Sequence, residues 1–420
     1  MSALASERSA AGAASLALGE SEPLRKKHAT VRASPSPARD QAALAKEALV
    51  LHFNEFVVSD DMLQTYAFAI LNTHGCDALR LPSSRIAVFI GKIRALYKDN
   101  PYHGWSHGFF VLRVSCLFLD VLPGLQSRLS RAERCSYLIA ALCHDVAHTG
   151  TNNTFEVRTK SVVALTYGDD SVLEKMHIAT MFQVMDDPTV QLLSGVEQEE
   201  QTKLRALMAS AVLMTDMANH ANQMQDLQEK VKASALTKIL RGSPLQKGET
   251  ESTRAEDTQC ILNIVMHAAD ISSHMMPVEI SEIWSGRVLD EFRAISAAED
   301  AAGLALTPFL SGLDNPLRAA ECQLGFLEHC VSPLWTLLMD AVDMVDVADS
   351  IKSVDGTSSV AAAATEPEAG GASPTLLDTR RDLMFHLRKN LEDNRLYWGN
   401  AIANAARNIE ASGEDIQKVS

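Results

Sequence analysis

The pattern of apolar positions along the chain predicts helices. Apolar residues recur at three- and four-residue spacing, as in Leu138, Ala141 and Leu142, and again in Ile261 and Ile264. Alternating strand patterns are scarce, and the chain shows no βαβ rhythm and no repeat of fixed period. We therefore predict an all-α fold, a compact array of helices in which side chains from distant segments face one cavity.

Breaks in this pattern predict the boundaries of a single folded domain. Residues 1–47 are rich in Ala, Ser and Arg and carry few large apolar groups, so a disordered arm is expected; its glutamates fit a transit peptide poorly. A low-complexity surface loop is expected over about 352–373 and a solvated connection over 241–257. The folded domain would then span 48–410, followed by a tail over 411–420.

Composition and charge narrow the class of partner. A chain of 420 residues that is 46% hydrophobic can bury a large core. Its formal net charge of -15 argues against a nucleic-acid polymer, which needs clustered Lys and Arg. The apolar run over 111–122 is broken by Arg113 and Asp120 and is too short to cross a bilayer, so we expect no transmembrane segment and no secretory signal.

The cysteines bear on the compartment. All seven stand outside CxxC pairs, and most lie in apolar stretches typical of buried free thiols. We therefore expect a reducing, cytoplasmic environment. A homodimer stays open as the assembly state.

Four metal-capable residues stand in apolar, helix-like segments that are far apart in the sequence: His107, the adjacent pair His144 and Asp145, and Asp270. Two imidazoles and two carboxylates suit Zn²⁺, Mn²⁺ or Mg²⁺, ions that activate water for hydrolysis. A core histidine at 144 and capping aspartates at 145 and 270 are the alternatives, although an unpaired buried carboxylate costs on the order of several kcal/mol. The pattern therefore favours a metallohydrolase.

Other polar residues are candidates for contacting the substrate or orienting metal-bound water beside the four predicted ligands. In the segment PYHGWSH, His103 and His107 would share one face of a helix, so that one imidazole binds metal while the other meets substrate; two surface histidines are the alternative. Glu174 and His177 lie three apart on a predicted helix and suit the orientation of metal-bound water. Thr215 interrupts another apolar helix, where hydrogen bonding within the helix bundle is the alternative.

Short motifs surround these side chains in collinear order over roughly residues 48–405: YHGWSH, HDVAHTGTNN, YGDDSVLEKMH, TDMANH, HAADISS, ECQLGF and LEDNRLYW. Together they resemble the catalytic domain of class I cyclic nucleotide phosphodiesterases. The corresponding family motifs are YHNWxH, HDVDHPGxxN, YNDxSVLENHH, TDMxxH, HAADLSN, QxGF and LEDNRxWY. Chance can hardly supply so many matches in order. The resemblance implies an HD-type metallohydrolase fold, with 48–410 as the catalytic domain.

Carried over residue by residue, the resemblance implies a site for two divalent metals. His107, His144, Asp145 and Asp270 would hold Zn²⁺, and Asp145 would also bridge to Mg²⁺ or Mn²⁺. The residues implied to orient waters on the second ion are His148, Glu174 and Thr215. His103 would be the general acid that protonates the leaving 3′-oxygen while metal-activated hydroxide opens cAMP or cGMP to the 5′-monophosphate.

For the purine, the resemblance implies a pocket with one amide and one stacking ring. Gln323 would hydrogen-bond the base edge and Phe326 would stack on its face. The residues implied to form the opposing wall and the entrance are Tyr102, Met217, Ile271, Val288 and Phe292. Because an amide can present its donor or its acceptor by flipping, both cAMP and cGMP remain candidate substrates.

Several positions depart from the family pattern. The departing residues are Gly104, Ala147, Thr149, Gly168, Lys175, Met176 and Ser273. None replaces an implied metal ligand, so metal binding should survive, whereas turnover and base selectivity are less constrained. A catalytically impaired nucleotide-binding or scaffold homologue and another HD-type metallophosphohydrolase therefore remain as alternatives.

Overall fold

The computed structural model describes residues 40–232, 250–355 and 376–412, and within these ranges it contains helices and no strands. The all-α prediction is confirmed. The helices, numbered in chain order, are α1 Gln41–Ala48, α2 Asp60–Thr73, α3 Ser83–Leu96, α4 Trp105–Val121, α5 Pro123–Arg128, α6 Arg131–Cys143, α7 Asn153–Thr159, α8 Val162–Tyr167, α9 Val172–Asp186, α10 Gln198–Leu213, α11 His220–Lys232, α12 Glu251–Asp270, α13 Val278–Ala301, α14 Pro316–Phe326, α15 Ser332–Asp355 and α16 Leu376–Ser412. Short 3₁₀ turns include Cys76–Leu79, Met217–Asn219 and Ser272–Met275.

The predicted boundaries need correction where they overlap helices. Residues 41–47 were expected in the disordered arm, but they belong to α1, which packs on α2 and buries Leu44 and Ala48. Residues 251–257 were expected in a solvated connection, but they form the first turns of α12, where Thr250 caps the helix by accepting from the Thr253 amide.

Two further boundaries shift because helices run on past them. Residues 352–355 continue α15, and 411–412 continue α16. The remainder of the predicted arm, connection, surface loop and tail lies outside the described residues, so the predicted domain limits stay predictions.

Helix α4 lies at the centre of the domain. Almost every residue from Trp105 to Val121 is buried, as expected for a helix that is apolar all round. Arg113, which interrupts this run, is fully buried and pairs with the buried Glu55 at 2.8 Å, while it also donates to the Val50 carbonyl at 2.7 Å. Its charge is therefore satisfied inside the core.

Helix α6 packs against α4 at very short range. Its start is fixed by a capping box in which Ser130 accepts from the Glu133 amide and Glu133 accepts from the Ser130 amide. Gly108 of α4 faces the other end of α6, and a Cβ there would lie 2.9 Å from the Leu142 carbonyl oxygen and 2.5 Å from the Tyr97 hydroxyl. This close approach brings the first turn of α4 to the residues that follow α6.

One pair of cysteines differs from the predicted free thiols. Cys76 and Cys135 form a disulfide with their Cα atoms 5.5 Å apart, because the turn that begins at Cys76 packs against the first turns of α6. The remaining cysteines are free thiols, and Cys116 and Cys143 among them are buried. Among the described helices, none combines the length and apolarity that a membrane span requires.

Candidate metal centre and substrate pocket

Three separate segments bring the four predicted metal ligands together. His107 comes from the first turns of α4, His144 and Asp145 directly follow α6, and Asp270 is the last residue of α12. One oxygen of Asp270 lies 2.9 Å from His107 Nε2 and 3.2 Å from His144 Nε2. One oxygen of Asp145 lies 3.0 Å from His144 Nε2 and 3.4 Å from His107 Nε2. All four ligand atoms lie within 4.8 Å of one another.

The chemistry of this donor set fits a divalent cation. His144 donates its Nδ1 proton to the Ala141 carbonyl at 2.9 Å, so Nε2 is the atom that faces the carboxylates. A nitrogen lone pair and carboxylate oxygens repel one another unless a positive charge lies between them, either a proton or a metal ion. Asp145 Oδ2 is buried and has no hydrogen-bond partner among the described atoms, so a cation at this point would satisfy it.

The electrostatics of the cluster favour ionised carboxylates. Burial raises the pKa of Asp145 and Asp270, but the surrounding histidines, with the charge of His144 foremost, together hold both pKa values below their usual range. Conversely, burial lowers the pKa of His144, while the charges of Asp145 and Asp270 raise it well above the usual value. Two anionic ligands therefore face the position that a cation would take.

A second donor set shares Asp145. Asp145, His148 and His177 offer ligand atoms within 4.8 Å of one another, and His177 Nε2 lies 3.6 Å from Asp145 Oδ1. His177 donates Nδ1–H to the Val146 carbonyl at 2.7 Å, which directs Nε2 at the carboxylate. Ala147, where the family motif has Asp, takes a left-handed φ of 66° in the turn that delivers His148.

His177 was expected, together with Glu174, to orient metal-bound water, and its Nε2 lies near the Asp145 carboxylate. The available signal was its position one helical turn after Glu174.

Glu174 and Thr215 have different surroundings from one another. Glu174 lies in the first turn of α9 and accepts a hydrogen bond from Asn153 at 3.0 Å; burial and the charge of Asp216 raise its pKa to about 7. Thr215 is buried, and its hydroxyl donates to the Val212 carbonyl at 2.8 Å. This hydrogen bond agrees with the alternative interpretation of Thr215, in which its hydroxyl is satisfied within the helix bundle. A role of Thr215 in orienting water remains a prediction.

His103 is not on the helix that the sequence analysis predicted. Helix α4 begins at Trp105, and Gly104 precedes it with extended backbone, φ -121° and ψ -171°. Glu291 of α13 explains the difference, because one of its oxygens accepts the backbone N–H groups of Tyr102 at 3.0 Å and His103 at 3.1 Å. The ring of His103 nevertheless lies 5.6 Å from that of His107.

The other oxygen of Glu291 makes a short hydrogen bond with His103 Nδ1, which leaves Nε2 free. Burial lowers the pKa of His103, but the charges of Glu291 and then Asp145 raise it to about 9. Nothing in the sequence spacing of Glu291 connects it to His103, so this contact could not be predicted.

The predicted base-binding residues lie on one face of α14. Gln323 and Phe326 are one turn apart; Gln323 is 2% exposed, and its Oε1 has no hydrogen-bond partner among the described atoms. The buried imidazole of His274 lies beside both residues, with its ring 5.9 Å from that of Phe326. Burial lowers the pKa of His274 to about 4, whereas the neighbouring side chain of Gln323 acts in the opposite direction.

The turn that carries His274 is anchored by α16. Asn394 donates to the His274 carbonyl at 3.0 Å and to the Met276 carbonyl at 2.9 Å, and Asn390 donates to the Met275 carbonyl at 2.9 Å. These two amides belong to the motif LEDNRLYW and the residue just before it. The motif therefore fixes the backbone next to the predicted base pocket.

The remaining predicted pocket residues differ in burial and in their contacts. Tyr102 lies over His107, one of the predicted metal ligands, with ring centroids 4.6 Å apart. Ile271 is buried directly after Asp270, and Met217 is 42% exposed in its 3₁₀ turn. Val288 is half-buried on α13, one turn from Phe292, whose ring meets that of Phe309 at 5.9 Å.

The helical architecture and the adjacent His-Asp pair define an all-α protein of the HD type, and comparison with known proteins gives the family. The model of the 3′5′-cyclic nucleotide phosphodiesterase family matches residues 102–351, more than half of the chain, and the chain belongs to this family.

Individual relatives agree with this assignment. The chain is 30% identical over 277 residues to the 3′,5′-cyclic-nucleotide phosphodiesterase regA of Dictyostelium discoideum, a match that covers 66% of this chain and 33% of that protein. It is 29% identical over 287 residues to the dual specificity calcium/calmodulin-dependent 3′,5′-cyclic nucleotide phosphodiesterase 1B of Bos taurus, covering 68% of this chain and 50% of that protein. The chain thus spans half or less of the length of these relatives.

The fold has a solved counterpart. The crystal structure of the phosphodiesterase domain of the RhoPDE fusion protein from the choanoflagellate Salpingoeca rosetta superposes with a TM-score of 0.65 at 24% sequence identity. The match covers 85% of this chain and 100% of that chain.

Proposed function

We propose that the chain is a metal-dependent phosphodiesterase that hydrolyses cAMP, cGMP or both to the 5′-nucleoside monophosphate. The observation that carries the proposal is the convergence of His107, His144, Asp145 and Asp270 beside a histidine whose Nδ1 is tied to Glu291. Family membership gives the reaction class. The bovine relative is named a dual specificity enzyme, which supports testing both nucleotides.

We propose Zn²⁺ at the four-residue cluster and, beside it, Mg²⁺ or Mn²⁺ that would be held by Asp145 and by waters oriented by His148, Glu174 and Thr215. The nitrogen and oxygen donors of the first set suit zinc, and the sharing of one carboxylate supports two ions side by side. When bound, such ions lower the pKa of water and offset negative charge on the phosphoryl oxygens.

The chain's own residues would supply the proton and the orientation. His103 carries its proton at neutral pH and, with Nδ1 held by Glu291, offers Nε2–H to the leaving 3′-oxygen of the cyclic ester. Asp145 and Asp270 stay ionised and hold the cations. Glu174, with its pKa near 7, could accept a proton from solvent in the cavity.

Substrate selection is proposed to rest on Gln323 and Phe326. A buried amide oxygen without a partner is costly unless a ligand satisfies it, and a purine edge supplies N–H donors. The ring of Phe326 would stack on the base.

Because the free thiols outnumber the single disulfide, we also keep the cytoplasm as the proposed location.

The test is turnover of both nucleotides by the purified chain. cAMP and cGMP are incubated in parallel with and without added Mg²⁺ or Mn²⁺, and the products are separated by chromatography. We expect the 5′-monophosphate only in the presence of metal, and none from a matched Asp270→Ala preparation.

Two other results would each point to a different function. Nucleotide binding without turnover in the metal-loaded chain would instead favour the non-catalytic homologue. Release of phosphate from nucleoside triphosphates with no action on cyclic substrates would favour another HD-type phosphohydrolase.

A further inference from the structure

A second group of metal-capable side chains lies at the opposite end of α4 from His107. His74 directly follows α2, and Cys116 and Asp120 stand one turn apart near the end of α4. Because a helix rises about 1.5 Å per residue, Asp120 lies roughly 20 Å along the axis from His107. This group is therefore separate from the cluster described above.

The three ligand atoms converge as closely as those of the first cluster. His74 Nε2 lies 3.2 Å from Asp120 Oδ2, and Cys116 Sγ lies 3.9 Å from the same oxygen. The nitrogen, sulfur and oxygen atoms all lie within 4.8 Å of one another. Cys116 and Asp120 face the same way because they are four residues apart on a helix.

The hydrogen bonds of His74 direct its second nitrogen at the group. Its Nδ1 lies 2.8 Å from the Ile70 carbonyl, to which it donates, and the neighbouring Thr73 hydroxyl already donates to the Ala69 carbonyl at 2.8 Å. Nε2 is thereby aimed at the carboxylate of Asp120. Histidines that bind metals are commonly held by a carbonyl in this manner.

Arg134 is the charged neighbour that a metal would have to tolerate. It pairs with Asp120 Oδ1 and leaves Oδ2 to face His74 and Cys116. A carboxylate that binds a metal through one oxygen and a hydrogen-bond donor through the other is a common arrangement. The group is open on one side, since Asp120 is 37% exposed and His74 is 15% exposed at the side chain, while Cys116 is fully buried.

We propose that His74, Cys116 and Asp120 form a site for a thiophilic divalent cation of the Zn²⁺ type, with solvent at the fourth position. A mixed nitrogen, sulfur and oxygen donor set selects such ions over Mg²⁺. Binding would release the Cys116 thiol proton to solvent and requires no oxidant or reductant. The bound ion would tie the end of α2 to α4. The alternative is an imidazolium and carboxylate ion pair beside a buried thiol.

Cobalt distinguishes these two arrangements. The first cluster offers only nitrogen and oxygen ligands, so Co²⁺ bound there gives no thiolate-to-cobalt charge-transfer band in the near ultraviolet. The full chain is titrated with Co²⁺ alone, and we expect such a band to appear and to saturate. Asp270→Ala should retain it, because that change affects only the first cluster. The test therefore stands whether or not the chain hydrolyses cyclic nucleotides.

Single substitutions test which side chains bind the Co²⁺ ion. Cys116→Ser should abolish the band, and His74→Ala should lower cobalt affinity by at least about 10-fold, the loss that even supporting residues cause. Cys322→Ser, which removes another free thiol, should leave the band unchanged. Since His74 is partly exposed, its replacement keeps the core intact and decides the question should Cys116→Ser fail to fold.

Three results would overturn the site. The first is the absence of a band in the wild-type chain at saturating Co²⁺. The second is a band that survives Cys116→Ser. The third is a band that is lost when Cys76 and Cys135 are both replaced by Ser, which would assign the sulfur to that pair.

Discussion

Glu291 holds His103 at both its side chain and its backbone. One carboxylate oxygen bonds the ring Nδ1, and the other accepts the backbone N–H of His103 at 3.1 Å. Burial raises the pKa of Glu291, but the charge of His103 lowers it to about 2, so the pair exists as a carboxylate and an imidazolium at neutral pH. The position and the protonation state of the proposed general acid thus depend on one residue of α13.

Replacing this carboxylate should change the pH dependence of the reaction. In Glu291→Gln, an amide oxygen can still accept from the backbone, but the negative charge that raises the pKa of His103 is lost. A general acid works while protonated, and activity falls as the pH rises through its pKa. The alkaline limb, expected near 9 in the wild-type chain, should therefore move to lower pH in the variant. A kcat/KM profile that does not move would remove His103 as the acid.

Removing the imidazole itself should affect rate without affecting metal. His103→Ala is expected to lose on the order of 10² to 10⁴-fold in kcat, the usual contribution of a general acid. Metal content by mass spectrometry should equal that of the wild-type chain, since His103 contributes no atom to the four-residue cluster. If the variant loses metal together with rate, its assigned role is wrong.

Two glycines in helices offer a matched test of the contact between α4 and α6. A Cβ on Gly108 would meet the Leu142 carbonyl oxygen at 2.9 Å, and overpacking of this kind typically costs about 1 to 3 kcal/mol. Gly286 of α13 has open space, so Ala there should stabilise the fold by about 0.4 to 1 kcal/mol. Thermal unfolding should therefore shift in opposite directions for Gly108→Ala and Gly286→Ala.

Turnover should fall in Gly108→Ala and stay unchanged in Gly286→Ala. Only Gly108→Ala is expected to weaken metal binding, because it separates His107 from His144. Equal stability of the two variants would show that α4 and α6 are free to move apart at this contact.

The base pocket can be tested through substrate affinity. Gln323→Ala should raise KM for the preferred nucleotide by about 10-fold with little change in kcat, since a hydrogen bond made equally in ground and transition states contributes about 1.4 kcal/mol. Gln183→Ala, which changes an exposed glutamine on α9, is the control and should change neither constant. A fall in kcat with constant KM would place Gln323 in the chemical step.

The all-α fold could be predicted from the helical spacing of apolar residues, and the convergence of the four predicted ligands from the distinctive motifs in which they stand. The position of His103 outside the helix could not be predicted from sequence, since Glu291, 188 residues away, accepts the backbone N–H groups that would otherwise start the helix. The disordered arm was extended too far because the short helix α1 is stabilised by packing on α2.

The partners of His177 and His274 are also set by tertiary contacts, so sequence spacing alone could not identify them. His177 meets a carbonyl and a carboxylate from the segment after α6, and His274 meets residues of α14.

The most direct test of the account is to measure bound metal and turnover on the same samples of the chain with and without Asp270→Ala. Both samples should carry Cys116→Ser, so that the second proposed site adds no ion. We predict that Asp270→Ala loses zinc and hydrolysis of both cyclic nucleotides together, while circular dichroism remains unchanged. A folded Asp270→Ala chain that keeps its metal and its full activity would contradict the account.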